Sequence, residues 1–241
     1  MLIGASSDII EKAYQPFDNL SLLVVLKSNG TIEKRVIGSV TESLVADSTN
    51  AKDWERLKEI FKNPSLQMAS FTITEKGYSL VNSQGDYLDA VSNDFREGPK
   101  QPGNIMGKVT ALLFERYQNG GYPIAMVSMD NCSHNGDKLF AAVETYAKNW
   151  VNHGFAEEGF LRYINDSARV TFPWSMIDKI TPRPDDKVKQ MLEKDGFEDT
   201  DLIITSKNTY TAPFVNAEET EYLVIEDTFP NGRPPLEKAG F

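Results

Sequence analysis

Strands and helices alternate between residues 66 and 151, and this pattern constrains the fold of the chain more than any other feature of its sequence. The segments are a strand in LQMASFTIT (66–74), a helix in NIMGKVTALLFERY (104–117), a strand in YPIAMVSM (122–129) and a helix in DKLFAAVETYAKNWV (137–151). The two strands are apolar with little alternation, which is typical of parallel strands covered on both faces. The sequence therefore predicts an α/β fold with a mostly parallel sheet flanked by helices.

Further elements are predicted on either side of this block. An early β-hairpin joins LSLLVVLK (20–27) to TIEKRVIGSV (31–40) through an Asn-Gly turn, the commonest short hairpin signal. The others are a helix at 51–62 with Asp47 and Ser48 as cap candidates, a helix at 187–196, and strands at 201–205 and 221–226.

Length and composition exclude several classes of protein. With 241 residues, 40% hydrophobic and 25% charged, the chain can form one large globular domain or two smaller ones. The net charge is −10 and no cluster of Lys and Arg is present, so we expect no nucleic acid partner. The sequence contains no apolar run of about 18 residues and no secretory signal pattern, so we expect no membrane association. A single cysteine cannot form an internal disulfide, which fits the reducing cytoplasm.

Two predicted strands end in polar segments, TEKGY (74–78) and DNCSHNG (130–136). In open α/β sheets ligands bind beyond the carboxyl ends of the strands, so we expect both segments to face one crevice. A purely structural alternative remains open, because Asp and Asn cap helices and Asn-Gly forms turns. Cys132 and His134 do not predict a metal site, because neighbouring residues rarely converge on one ion and the chain offers no ligand motif that would complete a set.

The proline-framed segment FPWSMIDKITPRP (172–184) carries Asp178 and Lys179 within an apolar run. Such charges usually face solvent; the alternative is that Asp178 points into the crevice and accepts hydrogen bonds from substrate hydroxyls. The sequence contains no GxGxxG, GxxxxGK or GxSxG motif. For a parallel-sheet protein the first absence matters most, because that turn holds a dinucleotide pyrophosphate.

Four motifs together carry a resemblance to a known family: FTITEKGY (71–78), VSMDNCSHNG (127–136), FPWSMIDKITPRP (172–184) and IEDTFPNGRP (225–234). In order and spacing the sequence resembles the long-chain mannitol dehydrogenases, which include mannitol 2-dehydrogenase, fructuronate reductase, tagaturonate reductase and mannitol-1-phosphate dehydrogenase. The resemblance implies a Rossmann-type NAD(P)-binding domain followed by a helical catalytic domain, without a metal, that interconverts a secondary alcohol and a ketone.

By this resemblance, residues 1–241 are an incomplete NAD(P)-binding domain. The opening βα unit with the glycine fingerprint and the C-terminal helical domain, which supplies a catalytic Lys with an Asn and a His, lie outside the sequence. MLIGAS (1–6) corresponds to the second strand of the domain. The chain is expected to be part of an NAD-dependent oxidoreductase that interconverts a sugar alcohol or aldonate and its ketose or ketohexuronate. Within the family, the expectation favours a fructuronate reductase-like member over a mannitol dehydrogenase-like one. We expect the chain alone to be inactive and prone to self-association. The alternative is a non-catalytic remnant or interaction module that has lost cofactor binding.

The resemblance also assigns catalytic and substrate-binding residues. Asn131 matches the amide that hydrogen-bonds the reacting oxygen, and Asp178 matches the carboxylate that contacts substrate hydroxyls. Glu75 matches a glutamate on the route by which the catalytic proton leaves. These residue types suit hydride transfer, because a fixed N–H donor stabilises the negative charge that develops on oxygen and a carboxylate relays protons.

The cofactor residues follow in the same way. Thr74 and Glu75 are expected near the nicotinamide, and Ser128 and Asp130 close to the cofactor. NAD is the expected cofactor, with NADP possible. An acidic residue after the second strand usually reads the ribose hydroxyl, and Asp8 is a candidate for this position.

Overall fold

The computed structural model describes residues 2–5, 7–73, 75–206 and 208–239. Thr74, which is expected near the nicotinamide, therefore lies outside the described residues. The strands are β1 (Leu2–Ala5), β2 (Ser21–Leu26), β3 (Ile32–Ile37), β4 (Glu42–Val45), β5 (Met68–Phe71), β6 (Ile124–Ser128), β7 (Val170–Thr171), β8 (Ser175–Lys179), β9 (Ile203–Ile204), β10 (Tyr210–Thr211), β11 (Phe214–Glu218) and β12 (Glu221–Ile225). The α-helices are α1 (Ser7–Ile9), α2 (Ala51–Lys62), α3 (Glu75–Tyr78), α4 (Asp89–Glu97), α5 (Ile105–Gln118), α6 (Asn135–Asn152), α7 (Glu158–Asn165) and α8 (Asp186–Lys194).

The predicted α/β class and the early hairpin are confirmed. β2 and β3 pair antiparallel in the register Leu22↔Val36, as the Asn-Gly turn indicates. The ladders β1–β4, β5–β6, β6–β7 and β11–β2 are all parallel. Within the described residues these parallel strands belong to three separate sheets, where the sequence pattern suggested one.

The chain divides into two compact units. The first consists of Met1–Ala46 and Asp178–Glu221, and the second of Asp47–Ile177 and Tyr222–Phe241. The first unit holds the sheet β11–β2–β3, and Val188 and Leu192 of α8 pack with Val24 and Phe214 in its core. Asp185 caps α8, and its carboxylate accepts hydrogen bonds from the backbone N–H groups of Lys187 and Val188.

The second unit is built around the parallel sheet β5–β6–β7. Every residue of β6 is buried, and this strand is the apolar run that the sequence indicates as covered on both faces. Helix α6 buries apolar residues at helical spacing, among them Leu139, Val143, Tyr146 and Trp150. β12 pairs with β8, and within this unit the Glu226 N–H donates to the Trp174 carbonyl at 3.0 Å.

A buried arginine on α5 joins the loops of the second unit. The Arg116 side chain is fully buried and donates to five backbone carbonyls. Its acceptors are the carbonyls of Phe61, Asn63, Leu66, Tyr122 and Pro123, at 2.6 to 3.0 Å. These carbonyls lie where α2 leads into β5 and where α5 leads into β6, so one side chain satisfies acceptors of two connections.

Three local predictions were wrong. α2 is capped by Asn50, which accepts from the Asp53 N–H, and not by Asp47 or Ser48. The strand expected at 66–74 ends at Phe71, and Glu75–Tyr78 forms a helical turn. The strand expected at 201–205 is reduced to Ile203–Ile204. In the part of the chain that the structure describes, no helix is long and apolar enough to cross a membrane.

Candidate functional site

The two polar segments meet at one edge of the second unit's sheet, as predicted. β5 and β6 are parallel neighbours with Phe71 opposite Ser128, so the chain leaves both strands on the same side. α3 follows β5, and its Tyr78 hydroxyl donates a short hydrogen bond to the Asp130 carboxylate beyond β6. A side-chain contact thus joins the two strand ends.

Asp130 organises the loop that follows β6. Its carboxylate also accepts from the Cys132 N–H at 2.9 Å, which closes a tight Asx turn around Asn131. Asn131 itself is exposed and makes no side-chain hydrogen bond within the described residues. The turn therefore holds the backbone on both sides of Asn131 and leaves its amide available to a ligand.

A second asparagine of the same motif has the opposite environment. Asn135 is only 1% exposed, and its Nδ2 donates to the carbonyls of Asp130 and Ser175, each at 3.0 Å. Its Oδ1 accepts from the Ser175 N–H at 3.1 Å and from the Gly136 N–H at 2.9 Å. Sequence reasoning did not single out this residue, although Asn-Gly at the start of a helix is a signal for a structural amide.

An ion pair and a cavity flank the strand ends. Lys138 Nζ lies 2.8 Å from Glu75 Oε1 on an exposed surface, and this hydrogen bond raises the pKa of Lys138. Both residues border a cavity of about 470 Å³, together with Tyr78. Apolar side chains, including Leu80 and Ala142, complete its lining.

Two groups beside the Asp130 carboxylate, Tyr78 and Cys132, are shifted toward their neutral forms. Burial, followed by the hydrogen bond to Asp130, raises the pKa of the Tyr78 hydroxyl above its usual range. Burial and Asp130 likewise raise the pKa of the Cys132 thiol. His134 has a left-handed backbone with φ 54° and stacks on Trp174, with 4.3 Å between ring centroids.

The remaining predicted residues lie in different surroundings. Ser128 is fully buried, and its hydroxyl donates to the Asn135 carbonyl at 3.3 Å. Asp178 is half-buried on β8 and belongs to the first unit. Asp8, also in the first unit, pairs with Lys12 and accepts from the Ser206 N–H, and these bonds hold the pKa of its carboxyl well below the usual range. In the second unit, Glu75 and Asp130 thus lie on the two segments that the Tyr78–Asp130 hydrogen bond joins, and Asn131 directly follows Asp130.

No cluster of three or more His, Cys, Asp or Glu side chains suited to a metal ion occurs among the residues that the structure describes.

Comparison with known proteins gives the family. The sequence profile of the mannitol dehydrogenase Rossmann domain matches residues 7–238. The chain belongs to this family. Its similarity to D-mannonate oxidoreductase of Thermotoga maritima is 51% identity over 232 residues, which covers 96% of this chain and 42% of that protein. It is 32% identical over 239 residues to a polyol:NADP oxidoreductase of Gluconobacter oxydans, covering 97% of this chain and 44% of the relative.

Solved structures of mannitol dehydrogenase relatives agree with the fold. A substrate-free D-sorbitol dehydrogenase superposes with a TM-score of 0.77 at 29% identity, covering 99% of this chain and 46% of the other. Mannitol 2-dehydrogenase of Pseudomonas fluorescens, in a ternary complex with NAD and D-mannitol, gives a TM-score of 0.71 at 28% identity, with 96% and 42% covered. The predicted Rossmann-like class is therefore confirmed, and the chain spans less than half the length of these relatives.

Proposed function

We propose that this chain is part of an oxidoreductase that transfers hydride between NAD(H) and an open-chain sugar acid, with D-mannonate and its keto partner D-fructuronate as the substrate pair. The observation that carries the proposal is the exposed side-chain amide of Asn131, which stands in a hydrogen-bonded turn at the shared carboxyl edge of β5 and β6. The 51% identity to a D-mannonate oxidoreductase supports the hexuronate class over the polyols.

The residues at this edge fit the nicotinamide half of the cofactor. The carboxylates of Glu75 and Asp130 and the cavity beside Tyr78 provide acceptors and an apolar wall for a ribose and a flat ring. The sequence has no glycine-rich turn for the pyrophosphate, so the phosphates need backbone donors elsewhere. We place Glu75 and Asp130 in contact with the cofactor, together with Thr74 directly before Glu75 and Ser128 two residues before Asp130.

Each residue has a defined part in this chemistry. The cofactor supplies or accepts the hydride. Asn131 donates its amide N–H to the substrate oxygen, where negative charge accumulates as the carbonyl is reduced. Glu75 exchanges protons with solvent, since its carboxylate is exposed and, among the described residues, pairs with the surface ammonium of Lys138. For Asp178, which belongs to the first unit, the proposal keeps the role that the resemblance gives it, acceptance of hydrogen bonds from substrate hydroxyls.

The domain assignment belongs to the same proposal. Residues 1–241 form part of the cofactor domain, and the resemblance places the catalytic lysine outside this sequence. We therefore expect no reduction of D-fructuronate when the chain is mixed with NADH, followed by NADH absorbance. Robust turnover of any ketose or hexuronate would contradict this expectation.

Calorimetric titration of NADH into the chain tests the cofactor site. We expect saturable binding, weakened about tenfold by Asp130→Asn because the variant loses a charged acceptor. Asp89→Asn, an exposed substitution in the first turn of α4, is the matched control. Absence of NADH binding to a sample shown to be folded by circular dichroism would contradict the proposal and favour a non-catalytic module.

Binding of sugar in the presence of NAD tests the substrate class. D-mannonate should bind more tightly than D-mannitol, and Asn131→Ala should weaken D-mannonate binding while leaving NADH affinity unchanged. Asn152→Ala, an exposed asparagine at the end of α6, is the control. Equal affinity for both sugars would remove the hexuronate preference from the proposal.

A further inference from the structure

We propose that Asn135 is the positioning residue of this site, whose side-chain amide holds the Asn131 turn in the conformation that presents the Asn131 amide. The inference rests on the proposed function for the role of Asn131. The geometric part concerns only the loop after β6 and stands on its own contacts.

The Asn135 amide takes the place of a backbone partner for Ser175. Its Oδ1 accepts from the Ser175 N–H and its Nδ2 donates to the Ser175 carbonyl, at 3.1 and 3.0 Å. Two such bonds are what a neighbouring strand residue exchanges in an antiparallel pair. Ser175 is the first residue of β8, so the amide fastens the beginning of this strand to the loop.

The same amide fixes the turn that contains Asn131. Its Nδ2 donates to the Asp130 carbonyl at 3.0 Å, directly before Asn131, while the Asp130 carboxylate holds the Cys132 N–H directly after it. Asn131 has no side-chain bond of its own within the described part of the chain. Its orientation therefore depends on these bonds to its neighbours, and Asn135 supplies the one that reaches from the buried side.

Only an amide meets both demands. Asn135 faces the carbonyls of Ser128, Asp130 and Ser175, which need a donor, and the N–H groups of Ser175 and Gly136, which need an acceptor. Aspartate has the same shape, but its carboxylate cannot donate. Asn135→Asp therefore removes the donor and leaves the acceptor, so the variant tests the donated hydrogen bonds separately from the accepted ones.

Cys132 reports the order of the turn without any need for activity. It is the only cysteine of the chain, is half-buried, and follows Asn131 directly. We expect Asn135→Asp to accelerate alkylation of Cys132 by iodoacetamide about tenfold at neutral pH, since the turn loses a buried bond. The added negative charge would by itself slow the reaction, so acceleration reports the loop. Asn149→Asp on the same helix, which loses a bond to the Thr145 carbonyl, should react like wild type.

A pH series distinguishes positioning from general weakening of the fold. A protonated carboxyl regains one donor, so the excess rate of Asn135→Asp should shrink as the pH falls, whereas a globally loosened fold would react faster at every pH. If Asn135→Asp does not fold, Ser175→Ala serves in its place. It removes the Ser175 hydroxyl, which donates to the Ser128 carbonyl and accepts from Asn135, and should accelerate alkylation severalfold.

Protection by NADH separates the inference from the proposed function. Slower alkylation of wild-type Cys132 in the presence of NADH, with protection lost in Asn135→Asp, supports both. Faster alkylation in the variant without any effect of NADH on either protein supports the positioning of the loop and overturns the proposed function. A wild-type alkylation rate in a folded Asn135→Asp or Ser175→Ala protein overturns the positioning role.

Discussion

The Tyr78 hydroxyl donates a hydrogen bond to the Asp130 carboxylate, across the ends of two adjacent parallel strands. Tyr78 lies on the helical turn after β5, and Asp130 begins the loop after β6. The bond therefore ties together the two polar segments that flank the candidate site, and it spans 52 residues of sequence.

Tyr78→Phe removes this bond and keeps the ring. Tyr78 is 5% exposed and its hydroxyl bonds a carboxylate, so we expect a loss of about 1–2 kcal/mol in the free energy of unfolding, measured by urea titration. Alkylation of Cys132 should also become faster. Tyr87→Phe, at an exposed ring of the same unit, should change neither quantity. An unchanged stability and an unchanged alkylation rate in Tyr78→Phe would show that the bond does not order the loop.

The pH dependence of Cys132 alkylation follows from its environment. Burial and Asp130 favour the thiol over the thiolate, so the midpoint of the rate profile should lie above the ordinary pKa of 9.0. A pKa that is higher in the folded state contributes stability below the unfolded value, and this contribution is lost as the pH rises through the folded pKa. Asp130→Asn should lower the midpoint but leave it above 9.0, because burial is the larger cause. A midpoint at or below 9.0 in the wild type would contradict the assignment.

Gly136 sits where no side chain fits. A Cβ atom there would lie 2.2 Å from the Phe172 carbonyl oxygen and 2.9 Å from the Trp174 ring. We expect Gly136→Ala to cost about 2 kcal/mol or more in the free energy of unfolding, because backbone must move. Gly103→Ala, whose Cβ would meet its nearest atom at 3.6 Å, is the control for the loss of a glycine. Equal stabilities of the two variants would mean that the start of α6 shifts freely.

Substitution of Arg116 tests how much its buried hydrogen bonds contribute to the stability of the fold. Lysine cannot reach the five carbonyls that the guanidinium satisfies, so Arg116→Lys should lower the free energy of unfolding by about 3 kcal/mol. Arg162→Lys on the exposed face of α7 should change it by less than about 0.5 kcal/mol. Chemical unfolding of both variants measures the difference. A loss in Arg116→Lys as small as in the control would mean that water replaces the lost donors.

Local sequence patterns predicted those helices and strands that are specified by the residues of the element itself. The apolar runs of β5 and β6 and the spacing of α2, α5 and α6 all correspond to helices and strands of the structure, with ends displaced by a few residues. The helical turn Glu75–Tyr78 was missed, because four polar and small residues have no period to detect. Its position depends on Tyr78 reaching Asp130, which is a tertiary contact.

The sequence by itself determined the α/β class, the hairpin, the two polar strand ends at one edge and, through its motifs, the family. Hydrophobic periodicity and turn-forming residues are local signals, so they can be read directly from the amino-acid sequence. Only the tertiary structure decided which asparagine of one motif is exposed and which is buried. Asn131 and Asn135 are the same residue type four positions apart, and they differ because Ser175, 40 residues further on, packs against one of them. Likewise, the acceptors of Arg116 include the carbonyl of Phe61, 55 residues away. Burial and hydrogen-bond partners are properties of distant segments brought together, and no local pattern records them.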